Sequence, residues 1–351
     1  MSIATRGQFL TLAGGATAAL AVPALAEARG AAVNDADVSK LYAAAKKEGK
    51  VVWWTAHYAQ DAAERVRDAF KAKYPGIDVE FIRQTAQVIY QRLSQDLKAG
   101  IHQLDVFAST DEAHYVELKK QNVLAEFAPA DIDKIPEQFR NLDTDGTYRV
   151  GTLAFVLVNY NPAKIPQPAK RWPQLGDGRF KGQITLGHPA FSGYVGNWVV
   201  AMNDIYGWEY FKNIAKNNPK INRSIYDTVT DIVGGERTIG AGPDSLSLEK
   251  KAGGNSIDIF YPEDDSVLIT APVGVLKEAP HPNAARLFEN FFYSKEYSQA
   301  LVKSSCFPLR SDVPSVNGAK LDKIRWTRVK VDRLATGVPE VVAKWRETFG
   351  V

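Results

Sequence analysis

Strand-like and helix-like segments alternate along most of this chain, and that alternation restricts the fold more than any other feature. Lys50–Trp54 is a short apolar run, and Ala62, Val66, Ala69, Phe70 and Tyr74 then mark one face of a helix. The spacing Asp61-Ala62-Ala63-Glu64 predicts a capping box at its start, and Pro75-Gly76 predicts its stop. Ile77–Ile82 reads as the next strand and Val88–Ala99 as a helix with Ile89, Leu93 and Leu97 inward. Leu104–Ala108 and then Asp111–Gln121 complete a βαβαβα series. Such a series folds as a mostly parallel sheet flanked by helices, because parallel strands need crossover connections.

A long apolar strand, Gly151–Tyr160, and a Pro-rich connection follow; Gln183 then opens a second series. Its later pieces are a helix over Asp227–Gly235, a strand over Arg237–Ala241, a helix near Ser245–Ala252 and a strand over Ser256–Tyr261. Leu268–Leu276 is another long apolar strand, after which only helices are expected: Pro282–Tyr293, Lys295–Ser304 and Pro339–Thr348, the last with Pro at its first position. Two long strands bracketing the second series predict a chain that crosses into a second lobe and returns. The expected lobes are residues 27–154 with 270–351, and residues 155–269.

Residues 1–26 stand apart. Arg6, a small apolar run and Val22-Pro23-Ala24-Leu25-Ala26 have the basic start, apolar middle and A-x-A end of a cleaved export signal. Thr5-Arg6-Gly7-Gln8-Phe9-Leu10 resembles a twin-arginine signal with Gly7 at the second arginine, so general secretion is the route expected. The single cysteine, Cys306, excludes an internal disulfide and reads as a small buried hydrophobe. A net charge of +3 with Lys and Arg dispersed gives no reason to expect nucleic acid or an anionic membrane as partner.

In open parallel sheets, ligands bind beyond the carboxyl ends of the strands. The loops at those ends carry His57 and Tyr58, then Arg83, Gln84 and Thr85, then Ser109, Thr110 and Asp111. In the second series they carry Ser192, Gly193 and Tyr194, then Arg223, Ser224 and Tyr226, then Asp244. Hydrogen-bonding groups with some aromatics suit a pocket for a polar small molecule. Each residue also has a plainer role. Thr110 or Asp111 serves its helix as N-cap or meets a ligand, His57 and Tyr226 pack or bind, and Ser192-Gly193 is a turn with an N-cap or an anion site at a helix start. His188 reads as a turn residue. Gly-x-Ser-x-Gly, His-Glu-x-x-His, Cys-x-x-Cys and the Gly-Lys-Ser/Thr phosphate loop are all missing, so the motifs predict no enzyme, no cofactor and no metal centre.

The order of these pieces resembles the periplasmic substrate-binding proteins of ABC transporters, in their ferric-ion-binding branch. Leu41–Val52, Leu104–Ser109, Phe180–Ile184, Ala190–Gly193 and the helix pair over 282–304 carry the likeness. It implies two α/β lobes of the type II periplasmic fold joined by crossing strands, a periplasmic monomer, and delivery of a solute to permease subunits in the inner membrane. Iron binders of the branch use a His after the first strand, matched by His57, and a Glu after the third, where Thr110 and Asp111 stand. Their Tyr pair falls near Pro243-Asp244-Ser245-Leu246, and their helper anion sits at the turn matched by Ser192-Gly193. Without phenolates at that position, the resemblance implies a small organic anion: a sugar phosphate, a phosphonate or a carboxylated opine-like compound. The alternative is Fe(III) held by His57, Asp111 and Asp244.

Overall fold

The structure is a computed structural model and describes residues 35–351; the expected export signal lies outside the described residues. Helix α1 (Asp35–Glu48) leads into β1 (Lys50–Thr55), α2 (Gln60–Lys73), β2 (Asp78–Arg83), α3 (Ala86–Lys98), β3 (Val106–Ala108) and α4 (Ala113–Lys120). Strand β1 pairs in parallel with both β2 and β3, as the alternation predicts. The short helix α5 (Glu137–Arg140) and the long strand β4 (Arg149–Tyr160) follow. The second series is β5 (Ile184–Gly187), α6 (Gly193–Tyr206), α7 (Glu209–Ala215), β6 (Lys220–Asn222), α8 (Asp227–Val233), β7 (Ile239–Pro243), α9 (Asp244–Ala252) and β8 (Asp258–Phe260). Strand β9 (Ser266–Val275) then precedes α10 (Pro282–Phe291), α11 (Lys295–Lys303), β10 (Trp326–Thr327) and α12 (Val331–Phe349).

The strands run in the order β2-β1-β3-β9-β4-β7-β5-β6, with β10 on β9 and β8 on β4. Parallel groups stand at both ends. Between them, β4 and β9 pair antiparallel with one another and with their outer neighbours. These two are the crossing strands. They are buried almost throughout, which is why they read as unbroken apolar runs. Their side chains still obey the period of two. Leu153, Phe155 and Leu157 enter the core around Trp53, Phe70 and Phe288, whereas Ala154, Val156 and Val158 enter the core around Trp198, Phe211 and Trp345. The lobe limits read from the sequence, 154/155 and 269/270, fall inside β4 and β9.

Four local expectations need correction. Asp61 and Glu64 form no capping box: Ala59 is the N-cap of α2 without a side-chain bond, and Glu64 takes Gln60 Nε2 instead. Helix α12 begins at Val331, so Pro339 lies inside it. Gly337 and Val338 press against Val200 and Gly196 of α6, and that packing fixes a first half-helix that the Pro signal places outside. Strand β10 shows that the chain after β9 is not wholly helical. Strand β6 and helix α7 carried no periodicity strong enough to be read. Cys306 is buried, as expected, and burial lifts its thiol to about 12.

Candidate functional site

The expected site residues come from loops at the carboxyl ends of both parallel groups, and those loops meet. Tyr194, in the first turn of α6, donates its hydroxyl to the carbonyl of His57 at 2.8 Å; Tyr226 donates to the same oxygen at 3.0 Å. Asn197 Nδ2 donates to the Thr110 carbonyl at 3.2 Å, and the Gln87 amide to the Phe191 carbonyl at 3.3 Å. Gly193 makes the tightest approach. A Cβ there would lie 2.6 Å from Thr110 Oγ1 and 2.9 Å from the Asp111 amide nitrogen, so only glycine fits. The Ser192-Gly193 turn therefore packs directly on the loop after β3. Ser192 is the N-cap of α6, but its hydroxyl makes no cap bond.

Inside the junction, His57 is fully enclosed. Its Nε2 sits 2.9 Å from the Pro272 carbonyl and 3.2 Å from that of Ser109. Carbonyls only accept, so Nε2 carries the proton and Nδ1 is a bare, buried acceptor without a partner. Burial draws the imidazole down to about 4, more than the two backbone bonds restore, so the ring is neutral at pH 7. Gly151 makes room for it, since a Cβ there would meet His57 Cε1 at 2.7 Å. Burial also raises the phenols of Tyr58, Tyr194, Tyr226 and Tyr297 above their ordinary value. Tyr58 and Tyr297 share a hydrogen bond, and Tyr297 donates to the Gly151 carbonyl. Asp244 lies buried at the start of α9. Desolvation pushes its carboxyl to about 7 against backbone hydrogen bonds from Phe155 and Ser245, and its Oδ1 has no partner.

Other expected residues are held by their own loops. The Ser109 hydroxyl bonds His114 Nδ1 at 2.9 Å and accepts the Asp111 amide. Asp111 accepts Gln87 Nε2 and the Ala113 amide, so its carboxylate serves the start of α4. Ser224 accepts the Tyr226 amide. His188 is a turn residue, its Nδ1 taking the Ala190 amide at 3.0 Å. Thr85 is the half-buried N-cap of α3 and also forms no cap bond. It opens onto a groove of about 520 Å³ whose lining includes Arg83, Gln84, Thr85, Arg92, Arg223 and Ser224. Tyr297 and Arg92 escaped the sequence reading because they sit within helices rather than at strand ends. Among the described residues, no three His, Cys, Asp or Glu side chains form a metal-ligand set, and no helix is long and apolar enough to cross a membrane.

With this arrangement in view, residues 103–335 match the family of bacterial extracellular solute-binding proteins. The chain belongs to that family. The solute-binding protein is 24% identical over 245 residues to an uncharacterised protein of Haemophilus influenzae, a stretch covering 66% of this chain and 70% of that one. Its fold is similar to the periplasmic binding protein AfuA of Actinobacillus pleuropneumoniae, solved with exogenous fructose 6-phosphate bound. That likeness has 19% identity and a TM-score of 0.77 over 86% of this chain and 99% of the other. It is similar also to iron-bound HitA from Pseudomonas aeruginosa, at 18% identity and a TM-score of 0.71 over 85% and 99% of the two chains. The fold is that of type II periplasmic binding proteins. The family implies a small solute as ligand, ABC permease subunits as partner and a periplasmic location.

Proposed function

We propose that this solute-binding protein captures a small organic anion between the two parallel groups and hands it to its permease as a monomer. The protonation state of the junction carries this reading. Its walls are a neutral imidazole, four protonated phenols and a carboxyl group raised to about 7, set beside the N-terminal ends of α3 and α6. Such walls offer hydrogen bonds to a polar body and partial positive charge to an anion. Fe(III), by contrast, would have to displace the protons of these groups on binding. The Asp111 carboxylate and His57 Nε2 of the alternative iron set already have protein partners. The anion-bound relative AfuA adds support, since its fold is similar over nearly its whole length. His57, Thr85, Ser109, Thr110, Asp111, Ser192, Gly193, Tyr194, Ser224, Tyr226 and Asp244 are the residues proposed to line or close the site.

A thermal-shift screen tests the proposal, because a ligand that binds the folded state raises the apparent melting temperature by mass action. Phosphorylated or carboxylated metabolites are expected to stabilise the ligand-free protein. Stabilisation by ferric salts alone would overturn the reading in favour of iron transport.

A further inference from the structure

Three arginines line the groove at the edge of the junction, and no carboxylate lines it. Arg83 leaves the end of β2, Arg92 projects from α3, and Arg223 follows β6 on the opposite side. None of the three has an ion-pair partner among the described residues, whereas Arg65, Arg171, Arg310, Arg328 and Arg333 all do. Arg92 also lines, with Trp54 and Glu80, a neighbouring cavity; within the groove itself all three charges have one sign, which favours an anion in a concave site.

Each guanidinium is also held in place. Arg83 lies 4.9 Å from the ring centre of Tyr226, Arg92 4.5 Å from that of Trp54 and Arg223 4.5 Å from that of Phe191. Arg83 Nε is further tied to the Tyr58 carbonyl at 2.8 Å. Stacking on aromatic faces fixes a planar fork and lowers the entropy lost when it grips an oxyanion. The groove also receives Thr85, the N-cap of α3, whose side chain makes no cap bond although the Gln87 amide donates to the Phe191 carbonyl, and the hydroxyl-bearing Ser224, so hydroxyl donors lie beside a helix start in the same space. Its volume of about 520 Å³ exceeds what a lone inorganic ion fills and lies in the ordinary range for small-molecule sites.

From this geometry we infer that Arg83, Arg92 and Arg223 form the head-group subsite for a phosphate-monoester dianion, with the organic body lying along the rest of the groove past Thr85, Val88 and Ser224. This rests on the organic-anion reading above and narrows it. A monophosphate ester carries close to two charges at neutral pH and three oxygens able to accept from several forks at once, which a monocarboxylate does not. Because Arg83 and Arg92 stand on one side and Arg223 on the other, the same head group ties the two sides together.

Isothermal titration of the full chain, freed of ligand, tests this with fructose 6-phosphate, fructose, succinate and ferric citrate as probes. Fructose 6-phosphate is expected to bind and fructose to fail. Arg92→Gln and Arg223→Gln are each expected to weaken the phosphate ester roughly ten- to hundred-fold, the loss typical of one hydrogen bond to a charged group. Arg223→Lys should recover part of that loss, and Arg325→Gln, whose side chain pairs with Asp265 outside the groove lining, should leave phosphate-ester affinity unchanged. Unchanged melting temperatures would show that the variants fold. Phosphate-ester binding indifferent to both arginine substitutions would overturn the subsite. Binding of succinate but of no phosphate ester would also overturn it, while leaving the organic-anion reading intact. Binding of Fe(III) alone would remove both.

Discussion

Tyr194 and His57 are joined by a hydrogen bond of 2.8 Å that runs from the first turn of α6 to the loop after β1. The acceptor is a main-chain carbonyl, so the contact reports the position of a whole loop rather than of one rotamer. Tyr226 meets the same oxygen, and the two phenols form the central latch between the second parallel group and the first.

Removing one phenol should therefore cost little and removing both much more. Tyr194→Phe is expected to lower stability by about 0.5–1.5 kcal/mol, since Tyr226 still satisfies the carbonyl. The double substitution with Tyr226→Phe leaves a buried acceptor unpaired and adds a penalty of about 1–3 kcal/mol. Urea titrations of the singles and the double give the coupling directly. Strict additivity would show that the two bonds do not share one acceptor.

Gly193→Ala tests the closest approach in the junction. Gly193 is the first residue of α6 and its φ is not positive, so alanine suits the backbone there. The cost is instead steric, because main-chain atoms of Thr110 and Asp111 lie under 3 Å from the new Cβ and cannot swing aside. Overpacking of this kind costs about 1–3 kcal/mol. Solution scattering is expected to give a larger radius of gyration in the variant, together with weaker ligand binding. An unchanged radius and affinity would mean that the junction opens freely without cost.

The buried carboxyl of Asp244 sets a pH trend. Its folded value, about 7, lies above the 3.8 of an unfolded aspartate. The folded state thus holds a proton that the unfolded state has released, and Asp244 makes stability fall as pH rises from about 4 to about 7. His57 works oppositely: its folded value, about 4, lies below 6.5, so it makes stability rise over that interval. Asp244→Asn removes only the first trend. The variant is expected to gain stability relative to the parent between pH 4 and 7, measured by urea midpoints across pH. A difference independent of pH would contradict the burial argument.

Helix α12 supplies the last prediction. Trp345 lies in the second core, with ring centres 5.4 Å from Phe211 and 4.3 Å from Phe349. Trp345→Ala should lower the unfolding free energy by about 3–5 kcal/mol, as for other large aromatics removed from a core. Calorimetry should register this as a clear drop in melting temperature.

Much of this was written in local pattern. The 3.6-residue period marks α2 and α3, and unbroken apolar runs mark β1 and the crossing strands, because each buries one side or both sides against a core. Strand-end position alone placed His57, Thr110, Ser192, Tyr226 and Asp244 in the loops after strands. Spacing rules misled where packing overrode them. Asp61 and Glu64 have the right separation for a capping box, yet the N-cap of α2 is Ala59, two residues earlier, and Pro339 signals a helix start although packing on α6 holds the preceding turns helical.

The amino-acid order by itself determined the class of fold and which residues stand in the loops at the strand ends, since these follow from burial patterns along a few residues. Only the tertiary structure decided which of those loops touch, that Gly193 closes on Thr110, that His57 is neutral with a bare Nδ1, and that three arginines distant in the chain share one groove without an acid. Contact, desolvation and summed charge depend on distances across the sheet, and no local pattern encodes those distances.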